Sequence, residues 1–315
     1  MLKDLLESDK KIFKLVCGAG NECEEDAERL TNLYSLAGAQ VFDICAKPEI
    51  LSAAKRGLEK AGIKKDRYIC VSVGMKGDPH IYKSTIDKNR CVNCGLCEKS
   101  CPNDAIKNNN VIKEKCIGCR VCYDICTKKA ITMEEHDVNL NKVLPELIKT
   151  GIDCIELHAT SELDEDIWEK WDIINKSYDG ILSICIDRLN LGNKQVLARL
   201  KKMLEVRKPY TTIIQADGIP MSGCDDNFKT TLQAVAMAEI VQDYKLPVYI
   251  FISGGTNSKT AQLAKLCNLN YKGIAIGSYA RKTVKEQVSD KNFYKNEVFN
   301  KALKQAKELV EESIK

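Results

Sequence analysis

The chain has 315 residues, twice the ~150 that is a soft expectation for one domain, although a (β/α)8 barrel alone uses ~250. Its 48 Lys+Arg against 44 Asp+Glu leave a formal charge of +4, which makes no electrostatic case for nucleic acid. With 44 % hydrophobic and 29 % charged residues it has the apolar mass for a large core, yet no stretch nears the ~20 apolar residues of a membrane span. The start, MLKDLLESDKKIF, lacks the apolar run and cleavage site of a secretory signal. A cytoplasmic location is expected.

Along the chain, short apolar runs alternate with amphipathic stretches. A strand over Ile12–Cys17 is expected to lead into a helix over Glu24–Leu36. Val41–Cys45 leads into Pro48–Ala61, and Tyr68–Val73 follows as the third strand. After a break come Leu140–Thr150 as helix, Cys154–Leu157 as strand and Asp164–Lys176 as helix. Ile181–Ile186, Thr211–Gln215, Val248–Ile252 and Gly273–Ile276 complete the strands. Helices over Lys194–Arg207, Phe228–Tyr244 and Ser258–Cys267 separate these, and a last one covers Asn296–Ser313. Gly38, Gly62 and Gly151 stand where helices stop.

Eight strands alternating with eight helices predict a (β/α)8 TIM-barrel-like fold, with an open doubly wound sheet as the alternative. The rhythm breaks after the third strand, whose helix arrives only at Leu140. Residues 83–134 are therefore taken as an insertion, with the barrel divided into 1–82 and 135–315. Without the insertion, the chain is close to a typical barrel's length.

Cysteine is the anomaly. There are 16, and half of them fall between Cys91 and Cys126. In a cytosolic chain such clustering points to metal or redox chemistry. Cys91-Val-Asn-Cys94-Gly-Leu-Cys97-Glu-Lys-Ser-Cys101-Pro recurs as Cys116-Ile-Gly-Cys119-Arg-Val-Cys122-Tyr-Asp-Ile-Cys126-Thr. Two C-x2-C-x2-C-x3-C runs are the signature of the bacterial two-cluster ferredoxin. Three thiolates on one tight loop can reach three corners of a [4Fe–4S] cube, and the fourth is directed to the other cube. That rule assigns Cys91, Cys94, Cys97 and Cys126 to one cluster, and Cys116, Cys119, Cys122 and Cys101 to the second. Zinc is the competing ligand, but four cysteines in a duplicated twelve-residue run are not zinc-ribbon spacing. Thr127 follows Cys126 where Pro102 follows Cys101, so the second exit is less rigid. Of the other cysteines, Cys17, Cys45, Cys70 and Cys185 read as small buried hydrophobes near strand ends. The sharper reading puts Cys17, Cys23 or Cys224 at the barrel mouth as a reactive thiol or extra ligand.

The last two strand exits carry the small-molecule signal. Strand seven runs into Gly254-Gly255-Thr256-Asn257, and strand eight into Gly277-Ser278-Tyr279-Ala280-Arg281. Barrels often hold phosphate there, so flavin mononucleotide or another phosphorylated ligand is expected at Gly254, Gly255, Thr256, Asn257, Gly277 and Ser278. Glycines that merely turn the chain are the alternative. Strand six leaves through Gln215-Ala-Asp217-Gly218-Ile-Pro220-Met221-Ser222-Gly223, which brings Asp217 to the rim. His158 reaches the same rim, and His80 sits before the insertion. Asp217 and His158 are the catalytic candidates, weighed against helix capping and backbone hydrogen bonding.

Asp78-Pro79-His80 before the insertion, the strand-six motif and Gly254-Gly255-Thr256-Asn257 together resemble the cyanobacterial light-dependent period protein A family. Cys17-Gly18-Ala19 and Leu33-Tyr34-Ser35-Leu36-Ala37-Gly38-Ala39 are similar too, so the resemblance spans most of the chain. It implies an iron–sulfur redox sensor that reports cellular redox state to a circadian clock; the clock role does not transfer by resemblance alone. The expected function is electron transfer or redox sensing with a redox partner protein. The rival is a barrel oxidoreductase that binds flavin or a phosphorylated substrate and draws electrons from the clusters. A scaffold that binds a partner through its ferredoxin face is the third reading.

Overall fold

The computed structural model describes residues 1–18, 20–75, 78–160, 163–218 and 225–315. Twelve strands occur among them. They are β1 (Ile12–Gly18), β2 (Val41–Cys45), β3 (Tyr68–Val73), β4 (Tyr82–Ile86), β5 (Ile106–Lys107) and β6 (Asn110–Val111). The rest are β7 (Ile131–Glu135), β8 (Cys154–His158), β9 (Ile181–Ile186), β10 (Thr212–Asp217), β11 (Tyr249–Ser253) and β12 (Gly273–Ile276). The strands β1, β2, β3, β8, β9, β10, β11 and β12 pair in parallel in that order, and β12 closes onto β1. The fold is a closed eight-stranded barrel, which removes the open-sheet alternative.

The barrel strands are short and buried on both faces, as runs rich in Ile, Val and Leu require when helices cover the outside. Helices Glu24–Ala37 and Pro48–Ala61 end in Gly38 and Gly62, both in the left-handed region (φ 106° and 68°). Among the departures from the sequence reading, two shape the barrel interior. The sixth barrel strand runs two residues beyond Gln215, because Ala216 and Asp217 pair with Ile252 and Ser253 of β11. An additional helix, Leu2–Glu7, closes the barrel floor, where Leu2, Leu5 and Leu6 pack with Ile12, Ile213 and Phe251. Gly273 leaves room for that Phe251 ring, which would lie 2.7 Å from a Cβ. Among the described residues no helix is long and apolar enough to cross a membrane.

Between β3 and β8 the insertion forms its own small unit. Strands β4 and β7 pair antiparallel from Tyr82–Glu135 to Ile86–Ile131, and β5 and β6 form a hairpin. Its core holds Ile86, Ile106 and Ile131 among the cysteines. The unit docks at the C-terminal end of the barrel strands. Buried Lys83 donates from Nζ to the carbonyls of Gly20 (2.7 Å) and Cys116 (2.6 Å) and pairs with Glu22 at 3.2 Å. Glu22 N donates to Glu114 O at 2.8 Å, and Lys285 bridges to Asp104 at 2.8 Å. Gly20 lets the two parts approach closely, since a Cβ there would meet Ile117 Cα at 3.2 Å.

Candidate iron–sulfur centres and barrel-mouth site

The two cysteine runs fold alike. In the first, Asn93 and Gly95 have positive φ (55° and 73°); in the second, Gly118 and Arg120 do (74° and 63°). These reversals curl each loop around its cysteines, and a one-turn helix follows, Leu96–Lys99 or Val121–Ile125. Cys91, Cys94, Cys97 and Cys126 line one cavity, and Cys101, Cys116, Cys119 and Cys122 line another. Each set takes three thiols from one loop and the fourth from the other repeat. Polar groups already face the sulfurs. Ala105 N lies 3.2 Å from Cys101 Sγ, Ala130 N lies 3.3 Å from Cys126 Sγ, and Ser84 N lies 3.4 Å from Cys116 Sγ. Apolar shells, four soft ligands and N–H donors aimed at sulfur are the chemistry that suits an iron–sulfur cube. Burial raises the Cys122 thiol to about 11 in the metal-free chain. The first set faces outward, with Cys94 exposed; the second faces the barrel, with Ile117 reaching its mouth.

Inside the barrel, above the apolar floor, lies an ionic layer where bulky aliphatics usually pack. Lys14 Nζ contacts Asp43 at 2.8 Å, Glu156 at 2.6 Å and the Gln215 side-chain oxygen at 2.7 Å. Ser183 donates to Glu156 at 2.6 Å, Gln215 Nε2 donates to it at 2.9 Å, and Ser72 donates to Asp43. Burial works against the charged lysine, but Asp43 and Glu156 outweigh it and hold the Lys14 pKa well above its ordinary value. Burial would raise Glu156 as well; Lys14 and His158 instead pull it far below the carboxylate range. A buried ion pair gives little net stability against a packed apolar core, so this layer is weak as a purely structural device.

At the rim, Asp78 joins two imidazoles. His80 Nδ1 lies 2.6 Å from one of its oxygens and His158 Nδ1 lies 2.7 Å from the other. Asp78 is 2 % exposed, and despite burial the two histidines hold its pKa well below normal. Burial opposes protonation of His158, but Asp78 and Glu156 raise it well above the usual histidine value. Asp217 lies across the mouth. Burial and the neighbouring Asp187 raise its pKa to about 6, and its Oδ1 has no hydrogen-bond partner among the described residues. The other oxygen lies 3.4 Å from Cys185 Sγ. A cavity of about 70 Å3 collects Asp217, His158, His80, Glu156 and the strand-exit glycines. A carboxyl with a raised pKa thus shares the mouth with a pair of carboxylate-held imidazoles.

The glycine exits have mixed roles. Gly254, Gly255, Thr256, Gly277 and Ser278 line the mouth cavity together with Arg281. Asn257 does not: its buried amide donates to the carbonyls of Asp225 and Asn227 at 2.8 Å, so it fastens the loop after β10. Thr256 donates to Ala275 O at 2.5 Å, which ties β11 to β12. Gly254 is required by Asp217, whose Oδ1 would lie 1.5 Å from a Cβ there. Cys17 is buried as a small hydrophobe, and Cys23 is half-buried at the start of helix Glu24–Ala37. Cys224 and the Pro220-Met221-Ser222-Gly223 motif lie outside the described residues.

Sequence reasoning missed Lys14, Asp43, Glu156 and Asp78 as members of one site. For Lys14, Asp43 and Glu156 the available signal was a charge in the middle of a strand buried on both faces.

Comparison with known proteins agrees with this geometry. Residues 146–314 match the light dependent period A C-terminal domain, while residues 84–107 and 113–129 each match a 4Fe-4S binding domain. The chain is 31 % identical over 290 residues to "Light dependent period A" of Synechococcus elongatus, covering 87 % of this chain and 81 % of that protein. Among solved structures, tryptophan synthase from Mycobacterium tuberculosis superposes with a TM-score of 0.50 at 10 % identity, over 99 % of this chain and 97 % of that one. The alpha subunit from Legionella pneumophila gives 0.50 at 11 %, over 99 % and 95 %. These two share the barrel fold alone. The chain is an iron–sulfur protein of the light dependent period A family.

Proposed function

We propose that the chain is a cytoplasmic electron-transfer or redox-sensing protein carrying two [4Fe–4S] clusters. The observation that carries this reading is the pair of cavities, each walled by four cysteines drawn from both repeats. When bound, each cluster would take up and release one electron. The protein's own share is to set the order of the centres. Cys91, Cys94, Cys97 and Cys126 hold the outer one, beside exposed Val92 and Leu96, where a redox partner protein would dock. Cys101, Cys116, Cys119 and Cys122 hold the inner one against the barrel. Anaerobic purification with iron and sulfide analysis tests this: about eight of each per chain are expected. About four iron, or zinc as the dominant metal, would count against it.

A second reading is favoured by the ionic layer and its rim. In it the mouth is a reaction chamber in which Asp217 and His158 move protons at a bound phosphorylated ligand or FMN. With its pKa raised to about 6, Asp217 holds a proton in mildly acidic solution and gives it up as pH approaches neutrality. The Lys14 and Asp78 networks keep the surrounding charges fixed. Acid release and absorption spectroscopy separate the readings: a flavin band supports the chamber, and cluster absorbance alone supports carrier or sensor.

A further inference from the structure

Side chains two apart on a barrel strand share a face, so β8 turns Glu156 and His158 inward together, and β10 does the same with Gln215 and Asp217. In the register of the sheet His158 stands opposite Cys185 of β9, and Cys185 stands opposite Gln215. Closure of the barrel therefore gathers nitrogen, oxygen and sulfur donors at the mouth. One donor atom each of Glu156, His158 and Cys185 lies within 4.8 Å of the other two. These residues are 0 %, 8 % and 1 % exposed. His158 Nε2 is 3.5 Å from Glu156 Oε1, and Cys185 Sγ is 3.4 Å from Asp217 Oδ2. Bonds of ~2.0–2.3 Å to a tetrahedral ion set neighbouring ligands ~3.3–3.7 Å apart, which both spacings match.

Each donor keeps capacity for an ion. Lys14 and Ser183 occupy Glu156 Oε2, whereas Oε1 accepts one close hydrogen bond, from Gln215 at 2.9 Å, and a long one from Ser72 at 3.4 Å. His158 Nδ1 faces Asp78 at 2.7 Å, the carboxylate–imidazole pairing that orients the other ring nitrogen toward a metal. Asp217 Oδ1 has no hydrogen-bond partner among the described residues. Among those residues Asp43, Asp78, Glu156, Asp187 and Asp217 surround this point against Lys14 and Arg281, so a divalent cation reduces the imbalance. The mouth cavity of about 70 Å3 suits an ion with one or two waters, each taking ~30 Å3.

We propose that the barrel mouth binds a divalent transition-metal ion of the zinc class through His158 Nε2, Cys185 Sγ, Glu156 Oε1 and Asp217. Imidazole, thiolate and carboxylate together select such an ion over magnesium or calcium, which take oxygen ligands. Binding sends the Cys185 thiol proton to solvent, as coordination deprotonates a thiol. The proposal rests on neither reading above. It goes beyond the chamber reading, because an ion on Nε2 withdraws that nitrogen of His158 from proton transfer.

The test uses the cluster-loaded protein, whose cluster cysteines are occupied, and zinc as the probe in anaerobic equilibrium dialysis. One zinc per chain is expected, with iron and sulfide contents unchanged. Zinc X-ray absorption should show a single sulfur at ~2.3 Å beside nitrogen or oxygen neighbours at ~2.0–2.2 Å. Cys185→Ser should remove the sulfur signal and weaken binding about a hundredfold, and Asp217→Asn should weaken it about tenfold. Asp217→Asn keeps the size of the side chain and opens no cavity, so it supplies a readout even where Cys185→Ser fails to fold. The proposal is overturned if zinc enters only in exchange for iron, if its neighbours include no sulfur or several, or if either variant binds zinc as wild type. A sample without iron would sink the carrier reading by itself. The sulfur count still separates zinc at the mouth, with one, from zinc on the cluster cysteines, with four.

Discussion

Asp217 pays for its position above Gly254 with a carboxyl oxygen that nothing among the described residues satisfies. In the folded chain it keeps its proton up to about pH 6, against an ordinary value of 3.8. Between those values the folded state binds more protons than the unfolded one, so Asp217's contribution to stability falls as pH rises and is lost above about pH 6. Asp217→Asn should abolish that fall and be more stable than wild type at pH 7.5 by about 1–2 kcal/mol. Urea unfolding at pH 4 and pH 7.5 checks it; an unchanged pH dependence would assign the proton elsewhere. Lys14 predicts the opposite sign. Lys14→Met leaves Asp43 and Glu156 buried without their cation, a loss of roughly 3–5 kcal/mol in thermal or denaturant unfolding. Little of this was legible beforehand. Lys14 and Asp43 each interrupt an apolar run on adjacent strands, and only closure of the barrel brings Glu156 and Gln215 to them across the interior. Asp78 and His158 meet across eighty positions of chain.

At the scale of elements, the sequence was most readable where burial is two-sided, because continuous Ile and Val runs admit few conformations. Boundaries slipped where tertiary pairing outlasts the apolar run, as at β10. The helix Leu2–Glu7 escaped notice because six residues are too few for a helical period to show. The cysteine repeats were legible to the residue, since metal geometry fixes spacing more tightly than packing does. The cross-over rule of the two-cluster signature also assigns each sulfur to a cluster. The structure sets Cys101 beside Cys116, Cys119 and Cys122. Cys101→Ala should therefore disturb the inner centre first, and spectra of a reduced sample should keep the outer centre's signal. Loss restricted to the outer signal would contradict the exchange. Gly255 has a φ of 84°, which disfavours any side chain. Gly255→Val should cost about 1–2 kcal/mol from backbone strain even where no ligand is bound, so it is a poor probe of ligand contact.

For the whole molecule, the decisive contact is one that composition could not announce: the insertion seated on the barrel mouth. Lys83 holds it, a buried amine shared between Gly20, Cys116 and Glu22. Lys83→Met strands two carbonyls, while Glu22 keeps Lys47 at 2.7 Å as a partner. A loss of about 1–3 kcal/mol is expected. Hydrogen exchange should quicken at Gly20 and along β4 before it changes in β9 or β10. Equal acceleration everywhere would mean that the two parts unfold as one unit.

The short helix under the barrel has a consequence for traffic. With Leu2, Leu5 and Leu6 stoppering the floor, the barrel is a blind well. Water, protons or solutes bound for the Lys14 layer must enter from above, past Ile117 of the second cysteine loop and His80 on the rim. The loop that grips the inner centre therefore also stands at the well's only doorway among the described residues. Leu6→Ser would leave that dependence in place, because Ile12, Ile213 and Phe251 still fill the floor, and solvent exchange of the buried polar layer should go on following how the insertion is seated.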